Sequence, residues 1–167
     1  MSRRAGFDPT DIFAALNKAQ VRYLVVGGVA AVLYGVARVT WDVDIAVQLT
    51  VPNVDRLAKA LGGIGFIPRV PAAPSGLANA KVRDAWIRQK GMKVYSFIER
   101  RSPPRNVDVM VRPPHNFQEL YQHRAIVKVG GVSIPLMPAK ALVQMKRKAG
   151  RLQDLQDISD LKRLGLA

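Results

Sequence analysis

The chain alternates short apolar runs with glycine and proline turns, a pattern typical of a mixed α/β protein. Apolar residues at three- and four-residue spacing predict helices over 8–19, 54–61, 138–149 and 152–164. Asp8 is the candidate cap of the first helix. Apolar or alternating runs predict strands over 21–26, 39–49, 93–99 and 106–112. Shorter elements are a helix over 29–36, helical turns over 117–123, and a hairpin of strands 125–129 and 132–136.

The order of these elements predicts one α/β (α+β) domain over residues 1–167. The hairpin introduces antiparallel pairing, so the sheet should be mixed. Residues 68–90 begin with a loop rich in proline and give no clear periodicity. No repeat is visible that would divide the chain.

The sequence contains no cysteine, which excludes disulfides, thiolate nucleophiles and cysteine-bound zinc. No apolar run approaches the roughly 20 residues of a membrane-spanning helix. The N-terminal stretch MSRRAGFDPTDIF carries arginines but lacks the apolar segment of a secretory leader. We therefore expect a cytoplasmic protein that does not enter a membrane.

The chain is strongly basic, with 26 lysines and arginines against 12 acidic residues and a formal net charge of +14. Basic residues outnumber acidic ones over 81–112 and again from 125 to the end, and no basic tail accounts for the excess. A positive field attracts polyanions. The charge favours nucleic acid, a nucleotide or an acidic protein as partner, and solubility alone is the other explanation.

Two aspartates interrupt the apolar run of the second predicted strand. Because side chains alternate between the faces of a strand, Asp42 and Asp44 should share one face, about 7 Å apart at Cα. Carboxylates about 5 Å apart repel by about 3 kcal/mol at an effective dielectric of about 20, so a cation or a raised pKa should accompany them. Magnesium fits because it prefers one or two carboxylates together with water and phosphate oxygens. The adjacent Trp41 is predicted to lie in the core.

A third carboxylate has an equivalent place in the run NVDVMV. Asp108 faces away from Val107 and Val109, which should line the apolar side of that strand. If this strand lies beside the second one, three carboxylates converge, which suits two divalent ions and deprotonation of an attacking hydroxyl. A solvated or edge strand face would explain the two aspartates of the DVD pattern equally well.

Gly27 and Gly28 end the first predicted strand and open a short helix. Bare backbone N–H groups at such a place suit a phosphate, and a purely structural turn is the alternative. The patterns G-x-x-x-x-G-K-[ST] and G-x-G-x-x-G are both absent, which disfavours a nucleotide kinase or a dinucleotide-binding dehydrogenase.

The order of these motifs resembles the nucleotidyltransferase fold of the polymerase-beta type, whose signature is Gly-Gly or Gly-Ser, then Asp-x-Asp or Asp-x-Glu, then a third acid on a later strand. The stretch ALVQMKRKAGRLQDLQDISDL is similar to the AbiEii-like, toxin-type branch, in which a helix bearing a lysine leads into an Asp-x-x-Asp helix. The resemblance covers about 21–164, apart from residues 68–90. It implies a mixed sheet flanked by helices, with the C-terminal helices packed on it.

The resemblance implies transfer of a nucleoside monophosphate from a nucleoside triphosphate (NTP) to an acceptor hydroxyl, with Mg²⁺ or Mn²⁺ as cofactor. The implied site residues are Gly27 and Gly28 at the triphosphate, Asp42, Asp44 and Asp108 as catalytic metal ligands, Lys146 as a further catalytic residue, and Arg38, Thr40 and Asp154 at the nucleotide. Gly28 departs from the serine of many relatives, so a hydroxyl contact to phosphate is missing there.

Simpler explanations stay open for the C-terminal residues. Lys146 lies in a KRK run that suits a solvated helix face, and Asp154 could complement the helix dipole or pair with Arg151.

The charge and the toxin-type resemblance favour RNA, including tRNA, as the acceptor, and a cognate antitoxin as a protein partner. A protein or a small molecule is the alternative acceptor. The alternative function is a noncatalytic binding module that keeps the fold, such as an antitoxin or a regulatory partner.

Overall fold

The computed structural model describes residues 8–166, so the beginning of the N-terminal stretch considered as a leader lies outside the described residues. The α-helices are α1 (Thr10–Lys18), α2 (Gly27–Leu33), α3 (Val51–Gly63), α4 (Ala80–Lys90), α5 (Phe117–Gln122), α6 (Ala139–Ala149) and α7 (Leu152–Arg163). The strands are β1 (Tyr23–Val26), β2 (Asp42–Val47), β3 (Ile67–Pro68), β4 (Val94–Glu99), β5 (Arg105–Met110), β6 (Ala125–Val129) and β7 (Val132–Leu136).

The strands form one mixed sheet in the order β3-β4-β5-β2-β1-β7-β6. β2 pairs in parallel with β5 and antiparallel with β1, so the strand that carries the DVD pattern lies near the middle of the sheet. The β6–β7 hairpin pairs through β7 with β1 and closes the opposite side. The predicted mixed α/β architecture is therefore confirmed.

One face of the sheet is mainly apolar and holds the main core. In β2 this face carries Val43, Ile45 and Val47, all with no exposed surface. The ring of Tyr23 stacks on Phe13 of α1 with centroids 6.1 Å apart, which fixes α1 on this face. The opposite face carries the aspartates of β2, because side chains alternate along a strand.

The region without clear periodicity, residues 68–90, contains a 3₁₀ turn over Pro74–Ala78 and then α4. The side chain of Asn79 caps α4 by accepting hydrogen bonds from the N–H groups of Lys81 and Val82. Trp86 is the buried residue of this helix, and its ring stacks on Tyr95. A helix that buries so few side chains has no continuous apolar stripe, which explains why the sequence pattern does not predict this helix.

The structure corrects two expectations around the DVD pattern. The second strand begins at Asp42 and not at residue 39, and Trp41 is 53% exposed, so its predicted place in the core is wrong. Trp41 precedes the paired part of the strand, which begins at Asp42. Within residues 8–166, no helix combines the length and the apolar character needed to cross a membrane.

Candidate active site

The two predicted acidic strands are neighbours. β2 and β5 run in parallel, and their register places Asp44 opposite Asp108 and Asp42 opposite Asn106. Directly opposite residues point to the same face of a sheet and lie about 5 Å apart. The expectation that the strand of Asp108 lies beside the strand of Asp42 and Asp44 is thus confirmed.

The electrostatics of this pair are unfavourable in the absence of a cation. Burial, and then the negative charges of Asp108 and Asp42, raise the pKa of Asp44 to about 7. The positive charges of Arg151 and Lys146 act in the opposite direction, which shows that the C-terminal helices lie close to Asp44. A carboxyl group with this pKa keeps its proton readily, or ionises when positive charge arrives.

Asp108 has a similar but milder environment. Burial raises the pKa of its carboxyl group, and a hydrogen bond with Ser96 of β4 works against that rise. The charge of Asp42 adds to the rise, while that of Arg69 opposes it. Asp108 therefore lies between a like charge on one side and polar and basic groups on the other.

Gly27 is required by its closeness to Asp44. Its φ is +65°, and a Cβ on this residue would lie 2.3 Å from Oδ2 of Asp44, far inside any normal contact. A side chain here would be strained by the backbone conformation and would also displace the carboxylate. Because Gly27 has no side chain, the carboxylate of Asp44 can lie directly against its backbone.

Gly28 is required for a different reason. A Cβ at this position would lie 2.7 Å from Oγ1 of Thr40 and 3.2 Å from Nη2 of Arg38. The two residues that precede β2 therefore occupy the space beside Gly28. The hydroxyl missing at residue 28 is replaced in this region by the hydroxyl of Thr40, and a serine would not fit without movement of Thr40.

The C-terminal residues form a buried ionic cluster next to the glycines. The carboxylate of Asp157 accepts hydrogen bonds from Nη1 of Arg38 at 2.6 Å and from Nζ of Lys146 at 2.7 Å. Nζ of Lys146 also lies 3.6 Å from Oδ1 of Asp154. Lys146 is 4% exposed, so a solvated helix face does not explain it. Asp154 binds Nε of Arg151 at 2.7 Å, the pairing that the sequence left open.

The sequence did not single out three polar residues that lie near the carboxylates. Ser96 binds Asp108, and Nδ2 of Asn106 donates to Oδ1 of Asp42 at 3.1 Å. Arg69 follows β3 and lies near Asp108. Their signal was weak but present, since Ser96 is a polar residue inside the alternating run of β4 and Asn106 begins the run NVDVMV.

The donor set fits a divalent ion that also binds substrate. Within residues 8–166, no three His, Cys, Asp or Glu side chains are arranged as a ready-made metal cage. Mg²⁺ does not need one, since it commonly takes one or two carboxylates and completes its shell with water and phosphates. The repulsion that raises the pKa of Asp44 is a feature that a cation near the carboxylates would relieve.

A separate cavity of about 700 Å³ is lined in part by residues 38–41, the segment that precedes β2. Its walls are mainly apolar and include Phe13, Val29, Val39 and Trp41. Arg38 and Thr40 border it, but none of the three aspartates lines it. The cavity is therefore not where the carboxylates would meet a ligand.

Comparison with known proteins identifies the architecture. No protein-family model matches the chain, and no curated protein matches it either. Among solved structures, an antigenic nucleotidyltransferase-like protein from Paracoccidioides brasiliensis is 17% identical, with a TM-score of 0.56 over 93% of this chain and 72% of that one. A candidate nucleotidyltransferase from Thermotoga maritima is 15% identical, with a TM-score of 0.54 over 91% and 88%.

A third structure, the lincosamide antibiotic adenylyltransferase LnuA with lincomycin bound, is 15% identical and has a TM-score of 0.61 over 95% of this chain and 99% of that one. At such identities the likeness concerns the fold alone. The chain has the nucleotidyltransferase fold, a mixed sheet flanked by helices.

Proposed function

We propose that this protein transfers a nucleoside monophosphate from an NTP to an acceptor hydroxyl and releases pyrophosphate. The observation that carries the proposal is the pair of carboxylates, Asp44 opposite Asp108. They lie beside Gly27, where any side chain would collide with Asp44. The fold agrees with it, since one protein of similar structure is an adenylyltransferase.

In this proposal Asp42, Asp44 and Asp108 hold Mg²⁺, or Mn²⁺, together with the phosphates of the substrate. The bound ions would neutralise phosphate charge and lower the pKa of the attacking hydroxyl. Asp108 accepts the proton of that hydroxyl while the hydroxyl oxygen forms its bond to the α-phosphorus. The bond from the α-phosphorus to the bridging oxygen breaks, and pyrophosphate leaves with the electron pair.

The remaining predicted residues bind or orient the nucleotide. Gly27 and Gly28 would present backbone N–H groups at the start of α2 to the triphosphate, and Arg38 and Thr40 would reach its phosphates from the segment before β2. Lys146 supplies a buried positive charge near Asp44.

Asp154 acts on the nucleotide side through Arg151, which it holds by an ion pair. The positive charge of Arg151 acts on Asp44, so the pair places a cation beside the carboxylate site.

The acceptor we favour is RNA, with tRNA as one candidate. The support is the net charge of +14, which would concentrate polyanions near the site. A toxin–antitoxin setting, with a cognate protein partner in the cytoplasm, follows from the toxin-type resemblance of the C-terminal sequence and is part of the proposal.

Calorimetry with each NTP, with and without Mg²⁺, tests the proposal first. We expect binding that depends on Mg²⁺ and is lost in Asp44→Asn and Asp108→Asn but kept in Asp84→Asn, which changes an exposed carboxylate on α4. Incubation with labelled NTPs and total RNA should then label RNA. Folded protein that binds no nucleotide under any of these conditions would instead identify a noncatalytic binding module.

A further inference from the structure

A row of polar residues crosses the sheet at the level of the proposed catalytic acids. Asp44 on β2 is opposite Asp108 on β5, and Asp108 is opposite Ser96 on β4. The next residue in the row is Arg69, whose backbone N–H donates to the carbonyl oxygen of Ser96 at 2.9 Å. Residues at one level of adjacent strands share a face, so the side chain of Arg69 lies on the face of the carboxylates.

The two ends of this row differ in character. On the β1 side, Gly27 lies against the carboxylate of Asp44, and Lys146, which shares Asp157 with Arg38, is close enough to act on Asp44 electrostatically. Arg69 is exposed on the other side, and within residues 8–166 its side chain has no ion-pair partner. Its positive charge is nevertheless close enough to oppose the rise that burial causes in the pKa of Asp108.

The same face stays open beyond Asp108. Ile67 of β3 is 43% exposed, and Ile98 and Met110 are only partly buried, so no helix of residues 8–166 fully covers β3, β4 and β5 on this side. In a phosphoryl transfer the attacking oxygen and the leaving group are roughly in line. If the triphosphate occupies the Gly27 side, the acceptor must approach from the side of Ser96 and Arg69.

We propose that Arg69 binds the phosphate next to the attacking hydroxyl, so that the acceptor is the end of a single-stranded RNA whose last phosphodiester contacts this arginine. The inference rests on the proposed function and names the acceptor side of the same site. Two strand spacings, about 10 Å, separate β3 from β5, and the long side chain of arginine can span much of that distance. A guanidinium group matches a phosphate through paired hydrogen bonds, and the positive field of the chain assists capture of a polyanion.

The test uses a short single-stranded oligoribonucleotide and the same oligonucleotide with a neutral methylphosphonate as its last linkage. The variants are Arg69→Gln and, as a matched control, Arg88→Gln, an exposed arginine on α4, which packs on the opposite face of the sheet. RNA binding is measured against salt concentration, and labelled NMP transfer is measured with both oligonucleotides.

For the wild type and Arg88→Gln, the neutral linkage should weaken binding about tenfold, the scale of one charge-assisted hydrogen-bonded contact. Arg69→Gln should bind the charged oligonucleotide about tenfold more weakly, show a log–log salt slope smaller by about 0.7, and no longer distinguish the two oligonucleotides. Calorimetric binding of NTP with Mg²⁺ should be unchanged, since Arg69 lies on the acceptor side.

Additive effects of Arg69→Gln and the neutral linkage would place that phosphate elsewhere and overturn the inference. If Arg88→Gln lost as much RNA affinity as Arg69→Gln, Arg69 would contribute only general positive charge, and the inference would also be overturned. Mg²⁺-dependent NTP binding without any transfer to RNA would remove RNA as the acceptor while leaving the proposed function intact. Absence of NTP binding would refute the proposed function itself, so the two failures are distinguishable.

Discussion

Replacement of Asp44 by asparagine should make the metal-free protein more stable at neutral pH. The ordinary pKa of the carboxyl group is 3.8, and burial together with the charges of Asp108 and Asp42 raises it to about 7. A rise of about three pKa units corresponds to about 4 kcal/mol at about 1.36 kcal/mol per unit. Because Asp44 is only partly buried by surface area, solvent screening reduces this upper limit, and we expect a gain of about 1 to 3 kcal/mol.

The pH dependence has a definite sign. The folded protein holds the proton of Asp44 up to about pH 7, while the unfolded chain loses it near pH 3.8. Between these values the folded state binds more protons, so the free energy of unfolding of the wild type falls as pH rises. Asparagine cannot ionise. The advantage of Asp44→Asn should therefore be small at pH 4, grow through this window and reach its full size above pH 7.

Urea unfolding in the presence of a chelator, at several values between pH 5 and pH 8, measures this difference. Asp84→Asn serves as the control, because its exposed carboxylate on α4 should give a difference near zero at every pH. A free energy of unfolding at pH 8 that is lower for Asp44→Asn than for the wild type would make Asp44 a structural residue and refute the reasoning. Added Mg²⁺ should stabilise the wild type and not the variant.

Three further changes test the packing around the site. Gly28→Ala should cost about 1 to 3 kcal/mol by overpacking against Thr40, and urea unfolding of the double variant with Thr40→Ala should recover part of that loss; strictly additive losses would contradict the contact. Asp157→Asn should cost about 1 to 3 kcal/mol in the same assay, because the buried Lys146 and the partly buried Arg38 lose the carboxylate that they share, while Lys146 keeps Asp154, and a change near zero would refute that role. Arg105→Lys should cost about 1 to 3 kcal/mol at pH 7, since lysine cannot reproduce the paired hydrogen bonds to Asp11; this difference should shrink in unfolding experiments below the ordinary Asp11 pKa of 3.8, and a difference independent of pH would contradict it.

Local patterns predicted the elements whose signals are short-range. The hairpin strands were predicted with the bounds that β6 and β7 have, because Gly130 and Gly131 both adopt positive φ and mark the turn clearly. The alternation of aspartate with valine also predicted the polar and apolar faces of β2. What the sequence left conditional was the neighbour of that strand, since the pairing with β5 depends on a crossover that no local pattern specifies.

Residues defined by long-range pairing could not be predicted in this way. Arg69 reaches the carboxylate face only because β3 pairs with the edge of β4. Lys146 lies in a run of basic residues that is typical of a solvated helix face, and its burial together with Asp157 follows from the packing of α6 against α7. The prediction that Trp41 lies in the core was wrong. An aromatic residue beside a strand is usually packed, whereas here the strand begins one residue later.

The arrangement of charge explains why the two sides of the site should evolve and fail differently. On the proposed nucleotide side, Arg38 and Lys146 share the fully buried carboxylate of Asp157, so the loss of Asp157 or of the buried Lys146 breaks a buried ion pair and should affect folding as well as nucleotide binding. On the acceptor side, Arg69 is exposed, and its replacement leaves no buried group without a partner. Substitutions there should change the choice of acceptor at little cost in stability, so differences in acceptor among proteins of this fold are expected at the open edge formed by β3 and β4.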